Sequence, residues 1–174
     1  IGYAAFYDCR SLTSITIPDG ITDIEGLTFY RCHSLASVVI PDSVTSIDAW
    51  AFAGCNSLEN FTMNASSQLD SIGENAFTGC NLTSVIIPDS VTSIDGSTFS
   101  NCSSLTSVTI GSGVTLIDYE AFGVCANLKN ITTHTLNSSV VSAIKELSNT
   151  NSEMHLIIGN SVTSIESSAF SGCT

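Results

Sequence analysis

Apolar and polar residues recur along this chain in short, similar bursts. Leu35, Val38 and Ile40, and again Leu105, Val108 and Ile110, are separated by Ser, Thr, Ala or Val in a pattern that buries one face of a strand. Pro18-Asp19, Pro41-Asp42 and Pro88-Asp89 then end the strand and begin a turn, because proline cannot continue a ladder and Asp favours turn geometry. A second apolar run, typically Val-Thr-Ser-Ile, and a loop carrying Ala-Phe or Thr-Phe complete the unit. Residues 35–52 (LASVVIPDSVTSIDAWAF) show it whole, and residues 82–99 (LTSVIIPDSVTSIDGSTF) repeat it closely.

Phenylalanines mark the period: Phe6, Phe29, Phe52, Phe77, Phe99, Phe122 and Phe170 are spaced 23, 23, 25, 22, 23 and 48 residues apart. The last gap fits two repeats, one without its marker. Extra residues after Asn64 account for the 25, and a residue missing just before Asn81 accounts for the 22. A unit of this length cannot bury its own apolar face, so neighbours must stack around a shared core. Parallel strands then recur about every 4.8 Å, and equivalent positions line up as columns. The fold class expected is a β-rich, leucine-rich-repeat-like solenoid: residues 1–174 as a single domain of about seven repeats of roughly 23 residues.

One unit departs from the pattern. Between Leu128 and His155, Val140, Val141, Ile144 and Leu147 have helical spacing, which predicts a short helix over 138–148 in place of the second run and loop. The regular pattern is expected to return at Leu156-Ile157-Ile158 and at Val162-Thr163-Ser164-Ile165. Both ends fall inside a repeat without a polar cap, so the chain is expected to be a piece of a longer protein.

Each marker Phe is followed three residues later by a cysteine: Cys9, Cys32, Cys55, Cys80, Cys102, Cys125 and Cys173. Their side chains point the same way, whereas a disulfide needs converging Cβ vectors. The expectation is a structural ladder of buried free thiols beside backbone groups of the turn. Zinc lacks CxxC spacing and a recurring histidine, so neither a metal nor a cofactor is expected. His33, His134 and His155 occupy unrelated repeat positions, and no serine stands out as a nucleophile, which argues against an enzyme.

The formal charge of −12 leaves only Arg10, Arg31, Lys129 and Lys145 as cations. No basic patch exists to neutralise phosphates or anionic lipid, so nucleic acid is not an expected partner. No apolar run is long enough to insert into a membrane. Acids stack in two columns, Asp19, Asp42 and Asp89 after the prolines, and Glu25, Asp48, Asp95, Asp118 and Glu166 after the isoleucines. Two readings stand: solvated acids, with the post-proline Asp holding its own turn, or oxygen ligands that calcium would relieve of repulsion.

The strand columns are the candidate binding surface. Outward positions run from Ser14 and Thr16 through Ser37, Val39, Asn60, Thr62, Ser84, Ile86, Ser107, Thr109, Asn130 and Thr132, with Met154, His155 and Ile157 adding a patch. Such hydroxyls and amides suit adaptable hydrogen bonding to a protein, and equally an unoccupied solvated face. Aromatic platforms for sugars are missing from these columns. Trp50 stands where other repeats carry small or polar residues, either as an exposed anchor or packed on its neighbour.

The recurring IPDSVTSIxxxAFxxCxSLTSVxIP resembles the BspA-like, or treponemal-type, leucine-rich repeats over nearly the whole chain, failing only across residues 137–153. The resemblance implies a curved right-handed solenoid with the LxxVxI strands on its concave face and Val-Thr-Ser-Ile on the opposite side. It also implies a secreted or cell-surface protein whose relatives include adhesins. The function expected is a protein-binding or adhesion module without catalysis; the alternative is a passive spacer displaying other domains. The ligand and the oligomeric state are not legible.

Overall fold

The computed structural model describes residues 1–64, 66–118, 120–150, 153–171 and 173. In chain order the elements are β1 (Asp23–Ile24), β2 (Ser37–Ile40), β3 (Ser46–Ile47), β4 (Asn60–Met63), β5 (Ser71–Ile72), β6 (Ser84–Ile87), β7 (Ser93–Ile94), β8 (Ser107–Ile110), β9 (Leu116–Ile117), β10 (Asn130–Thr133), α1 (Ser138–Thr150) and β11 (His155–Ile158). The four coils from β2 to β9 each contribute a four-residue strand to one side and a two-residue strand to the other. All ladders are parallel and in register, with Ile24, Ile47, Ile72, Ile94 and Ile117 paired in sequence along the five-stranded sheet β1-β3-β5-β7-β9. On the opposite side, where the second apolar runs were expected, their two-residue segments ending in isoleucine form this second sheet.

The core lies between the sheets. Val38, Ile40, Val85, Ile87, Val108 and Ile110 enter from the long strands, and the isoleucine column meets them. Beside both runs the phenylalanine column. From Phe6 to Phe122 successive marker rings stack with centroids 5.0–5.4 Å apart and planes within 15°. Burying each such ring contributes roughly 1.5–3 kcal/mol before packing terms.

The loops that carry these rings are built from consecutive tight turns. The residue two before each marker has positive φ (Ala4, Leu27, Trp50, Asn75, Ser97, Glu120), as does the residue two after it (Asp8, Arg31, Gly54, Gly79, Asn101, Val124). Each is the third residue of a turn closed by an i to i+3 hydrogen bond, such as Thr28 N–H to the Glu25 carbonyl and Cys32 N–H to the Phe29 carbonyl. Positive φ at that position is the type II requirement. It also turns alternate N–H groups toward the next coil: Leu27, Phe29 and Arg31 donate to the carbonyls of Ala49, Ala51 and Ala53 at 3.2, 2.7 and 2.9 Å. The backbone thus forms a third hydrogen-bonded ladder without any strand.

The spacing irregularities have structural consequences. Leu12, Leu35, Leu58, Leu105 and Leu128 each donate to the carbonyl of the cysteine three residues back. The residue missing before Asn81 puts Leu82 too close to Cys80 for that turn. There the long-strand side divides: β2 pairs with β4, and β6 begins a separate sheet, β6-β8-β10-β11. Phe61, in a column otherwise held by Val, Ile or Leu, fills this region edge-on to Phe52 and Phe77.

The helix is the second departure, and it runs two residues past the expected end. Asn137 caps it, its Oδ1 accepting the N–H groups of Ser139 and Val140 at 3.0 Å each. Ser139 Oγ accepts the Ile117 N–H at 2.9 Å and donates to the Ile117 carbonyl at 3.1 Å, so one hydroxyl stands in for the next strand of the short sheet. Val140 and Ile144 continue the core. The regular pattern returns only in part. Leu156-Ile157-Ile158 lies in β11 as expected, whereas Val162-Thr163-Ser164-Ile165 forms no strand and Ile165 is exposed. A two-residue strand needs a strand beside it, and here the preceding unit offers a helix.

Val124 gives the cleanest test of the loop geometry. It is β-branched, 75% exposed and has φ +59°, a conformation costing L-residues roughly 1–2 kcal/mol and disfavoured least for Asn. Val124→Asn is expected to raise the stability measured by chemical denaturation by about 1 kcal/mol; lower stability would contradict the assigned backbone.

Candidate functional site

The long strands position the candidate binding residues by alternation: each buries its second residue and turns its first and third outward. Register brings the outward residues together in two groups. Ser37 and Val39 face across to Asn60 and Thr62 on β2 and β4. Ser84, Ser107 and Asn130 form one column of the larger sheet, and Ile86, Thr109 and Thr132 form the other. His155 and Ile157 extend both columns onto β11. Val39, Ile86 and Ile157 are 59%, 64% and 54% exposed, while Ser107, Thr109 and Thr132 are half-buried. Ser14 joins Ser37 through a single bridge.

No Asp, Glu, Lys or Arg stands in either column, although the chain carries a formal charge of −12. The nearest ion pair, Lys129 to Glu153 at 2.9 Å, flanks the face and is exposed at both ends. Its hydrogen bond holds the Glu153 carboxyl below its ordinary pKa. The result is a neutral field of hydroxyl and amide groups with three apolar knobs. Depletion of charge and scattered apolar contacts are features of the central part of protein interfaces.

The acids sit elsewhere and bind the chain to itself. Asp42 accepts from Asn64 Nδ2 at 3.0 Å and from Ser66 Oγ, and Asp89 accepts the Ser112 N–H at 2.6 Å. That N–H is the main cause of the lowered Asp89 pKa. The post-proline Asp was read as holding its own turn; Asp42 and Asp89 instead hold the equivalent turn of the next coil, which parallel stacking brings within reach. Among the described residues, no three His, Cys, Asp or Glu side chains converge to hold a metal ion.

The cysteines are all free. Cys32, Cys55, Cys80, Cys102 and Cys125 are buried, whereas Cys9 and Cys173 are exposed. Each buried thiol donates to the carbonyl of the marker Phe one coil back: Cys32 to Phe6, Cys55 to Phe29, Cys80 to Phe52, Cys102 to Phe77 and Cys125 to Phe99, at 3.1–3.3 Å. Burial pushes the Cys32 and Cys125 thiols up to about 11, Cys55 up to about 12, and Cys80 and Cys102 well above the ordinary thiol value. Neutral thiols are poor nucleophiles.

The histidines lie apart, and one has a serine beside it. Ser161 Oγ is 3.4 Å from His134 Nδ1, but it donates to the His134 carbonyl at 2.8 Å, so its proton is directed to the backbone rather than to the ring. His33 Nδ1 lies 3.0 Å from the Gly54 carbonyl. Trp50 is 38% exposed and packs edge-on against Tyr30, the packed of its two alternatives, and Tyr30 also stacks on Tyr7 and lies under the Arg31 guanidinium. This convex aromatic cluster was not foreseen, although Tyr7 and Tyr30 share a repeat position.

Comparison with known proteins decides the family. The profile described as BspA type leucine-rich repeat region matches residues 1–70 and 62–174 with 6 copies. The chain belongs to this family. It is similar to the T. pallidum leucine-rich repeat protein TpLRR, at 32% identity and TM-score 0.65, covering 69% of this chain and 58% of that one. A leucine-rich repeat protein from Bacteroides ovatus is 29% identical with TM-score 0.60, covering 76% and 42%. The pneumococcal vaccine antigen PcpA, 20% identical, shares the fold with TM-score 0.69 over 87% and 42%. The chain therefore spans between about two fifths and three fifths of the length of these three proteins. No curated protein matches it. Among the described residues no helix is long and apolar enough to cross a membrane.

The thiol ladder makes two measurable claims. In the folded protein at neutral pH, a thiol-specific reagent should modify Cys9 and Cys173 rapidly and the buried five only after unfolding; rapid labelling of Cys55, Cys80 or Cys102 would overturn the ladder. The buried thiols have raised pKa values in the folded state, so their contribution to stability is fully present below the ordinary value of 9.0 and is lost as pH rises toward 11 and 12. Denaturation midpoints should accordingly fall on the alkaline side of pH 9, less steeply in Cys55→Ala.

Proposed function

We propose that the chain is a protein-binding or adhesion module of a secreted or cell-surface protein, acting through its long-strand face and without catalysis. The observation that carries this reading is the charge-free field formed by the two outward columns, with exposed Ile86 and Ile157 on one of them and Val39 on the neighbouring sheet. A protein partner gains from such a face in two ways. The apolar knobs desolvate without stranding a charge, and each hydroxyl can donate or accept to suit the surface opposite. Residues 1–174 act as one solenoid unit in this reading, because the columns exist only where neighbouring coils hold their register. Family membership supports the reading, since the resemblance carries relatives with adhesive roles at the cell surface.

A binding screen against extracellular-matrix and cell-surface proteins tests it, followed by combined replacement of Ser84, Ile86, Ser107 and Thr109 with alanine. A saturable partner whose affinity falls by at least about tenfold in the variant is the expected outcome. Unchanged affinity removes the long-strand face from consideration.

A further inference from the structure

The loop ladder runs from coil to coil until α1, and there it is left open on one side. In the first four loops the N–H groups two before, at and two after the marker donate to carbonyls of the next loop, for example Trp50 to Glu74, Phe52 to Ala76 and Gly54 to Thr78 at 3.0, 2.8 and 2.8 Å, and in the fifth Phe99 and Asn101 do so. The equivalent groups of the last loop before the helix belong to Glu120, Phe122 and Val124. No hydrogen bond among the described residues takes them up. The side that earlier loops turn to a successor here borders a cavity of about 420 Å³ between the loop and α1, lined by Ile117, Phe122, Val124, Ala143 and Leu147 among others. Its carboxylates are Asp118, Glu120 and Glu146, all exposed.

We infer that this groove binds an extended, lysine- or arginine-bearing peptide segment of a partner protein. The donors fix the kind of ligand. Groups that elsewhere receive alternate carbonyls of one polypeptide at 2.7–3.2 Å are matched by alternate carbonyls of another. The apolar walls accept the aliphatic stem of a long basic side chain, and the three carboxylates meet its charged head. A formal charge of −12 steers such a segment toward the protein and repels an acidic one. The groove lies away from the long-strand face, so the two surfaces are separable.

The test uses the whole chain labelled for amide hydrogen exchange, with the peptide Ac-Lys-Val-Lys-Ala-Lys-NH2 and its counterpart in which glutamate replaces each lysine. The basic peptide should bind saturably and slow exchange at Glu120, Phe122 and Val124 by about tenfold or more, with no such change for the acidic one. Ala143→Phe, which fills the groove, should weaken binding by more than about tenfold while the thermal melt is retained, and Glu146→Gln should weaken it several-fold and reduce its salt dependence. The inference is overturned if those three amides are already as protected in the free protein as Phe77 and Phe99. It is equally overturned if Ala143→Phe leaves affinity unchanged. Should that variant fail to fold, the combined Glu120→Gln and Glu146→Gln protein decides by the same measure: lost affinity supports the groove, and retained affinity rejects it.

Discussion

Each coil of this protein depends on its neighbour for the means to bury and satisfy itself. The marker phenylalanine shows why. Its ring is sandwiched between the rings one coil on either side, its N–H donates forward to the next loop, and its carbonyl accepts from the thiol of the next coil's cysteine. None of these bonds exists within a single coil. A unit of about 23 residues cannot enclose an apolar core, so stability resides in the joints between units. The cysteine column follows from the same constraint. A thiol is small enough to sit among stacked rings and carries one weak donor for the one carbonyl that the turn leaves with spare capacity.

That dependence also decides which surfaces are available. Register imposes columns, and columns allow side chains of one chemical kind to be collected or kept apart. Charge is absent from the two long-strand columns, acids hold successive turns together at the post-proline position, and aromatic side chains with an arginine gather on the convex loops near Trp50. Where α1 interrupts the stack, the joint is completed on one side by Ser139 and left open at the loop N–H groups beside it. The departure from repetition therefore creates a surface that repetition could not.

Much of this is written in the repeat itself. The phenylalanine spacing, the strand alternation and the cysteine position locate the coils, and the spacing of Val140, Ile144 and Leu147 locates the helix. Other features depend on partners rather than on local signals. The second sheet is built from two-residue strands that exist only beside one another, which is why Ser46-Ile47 is a strand and Ser164-Ile165 is not. Positive φ falls on Leu27, Trp50 and Val124, residues with no turn preference, because ladder geometry and not local propensity selects it. The residue missing before Asn81 was visible as a short spacing, but the break it makes between β4 and β6 belongs to tertiary structure. The outward columns were legible by alternation, whereas the unpaired loop edge could not be seen until the helix was set against it.

The most direct measurement of this account is a pair of double-mutant cycles on unfolding free energy. Phe77 and Phe99 are stacked neighbours at 5.4 Å, and Phe29 and Phe99 are separated by two intervening marker rings. If stability resides in the joints, Phe77→Ala with Phe99→Ala should show a coupling of about 0.5–1.5 kcal/mol or more, and Phe29→Ala with Phe99→Ala should be additive within about 0.5 kcal/mol. Equal coupling in both cycles, or none in either, would contradict a structure held together by nearest neighbours.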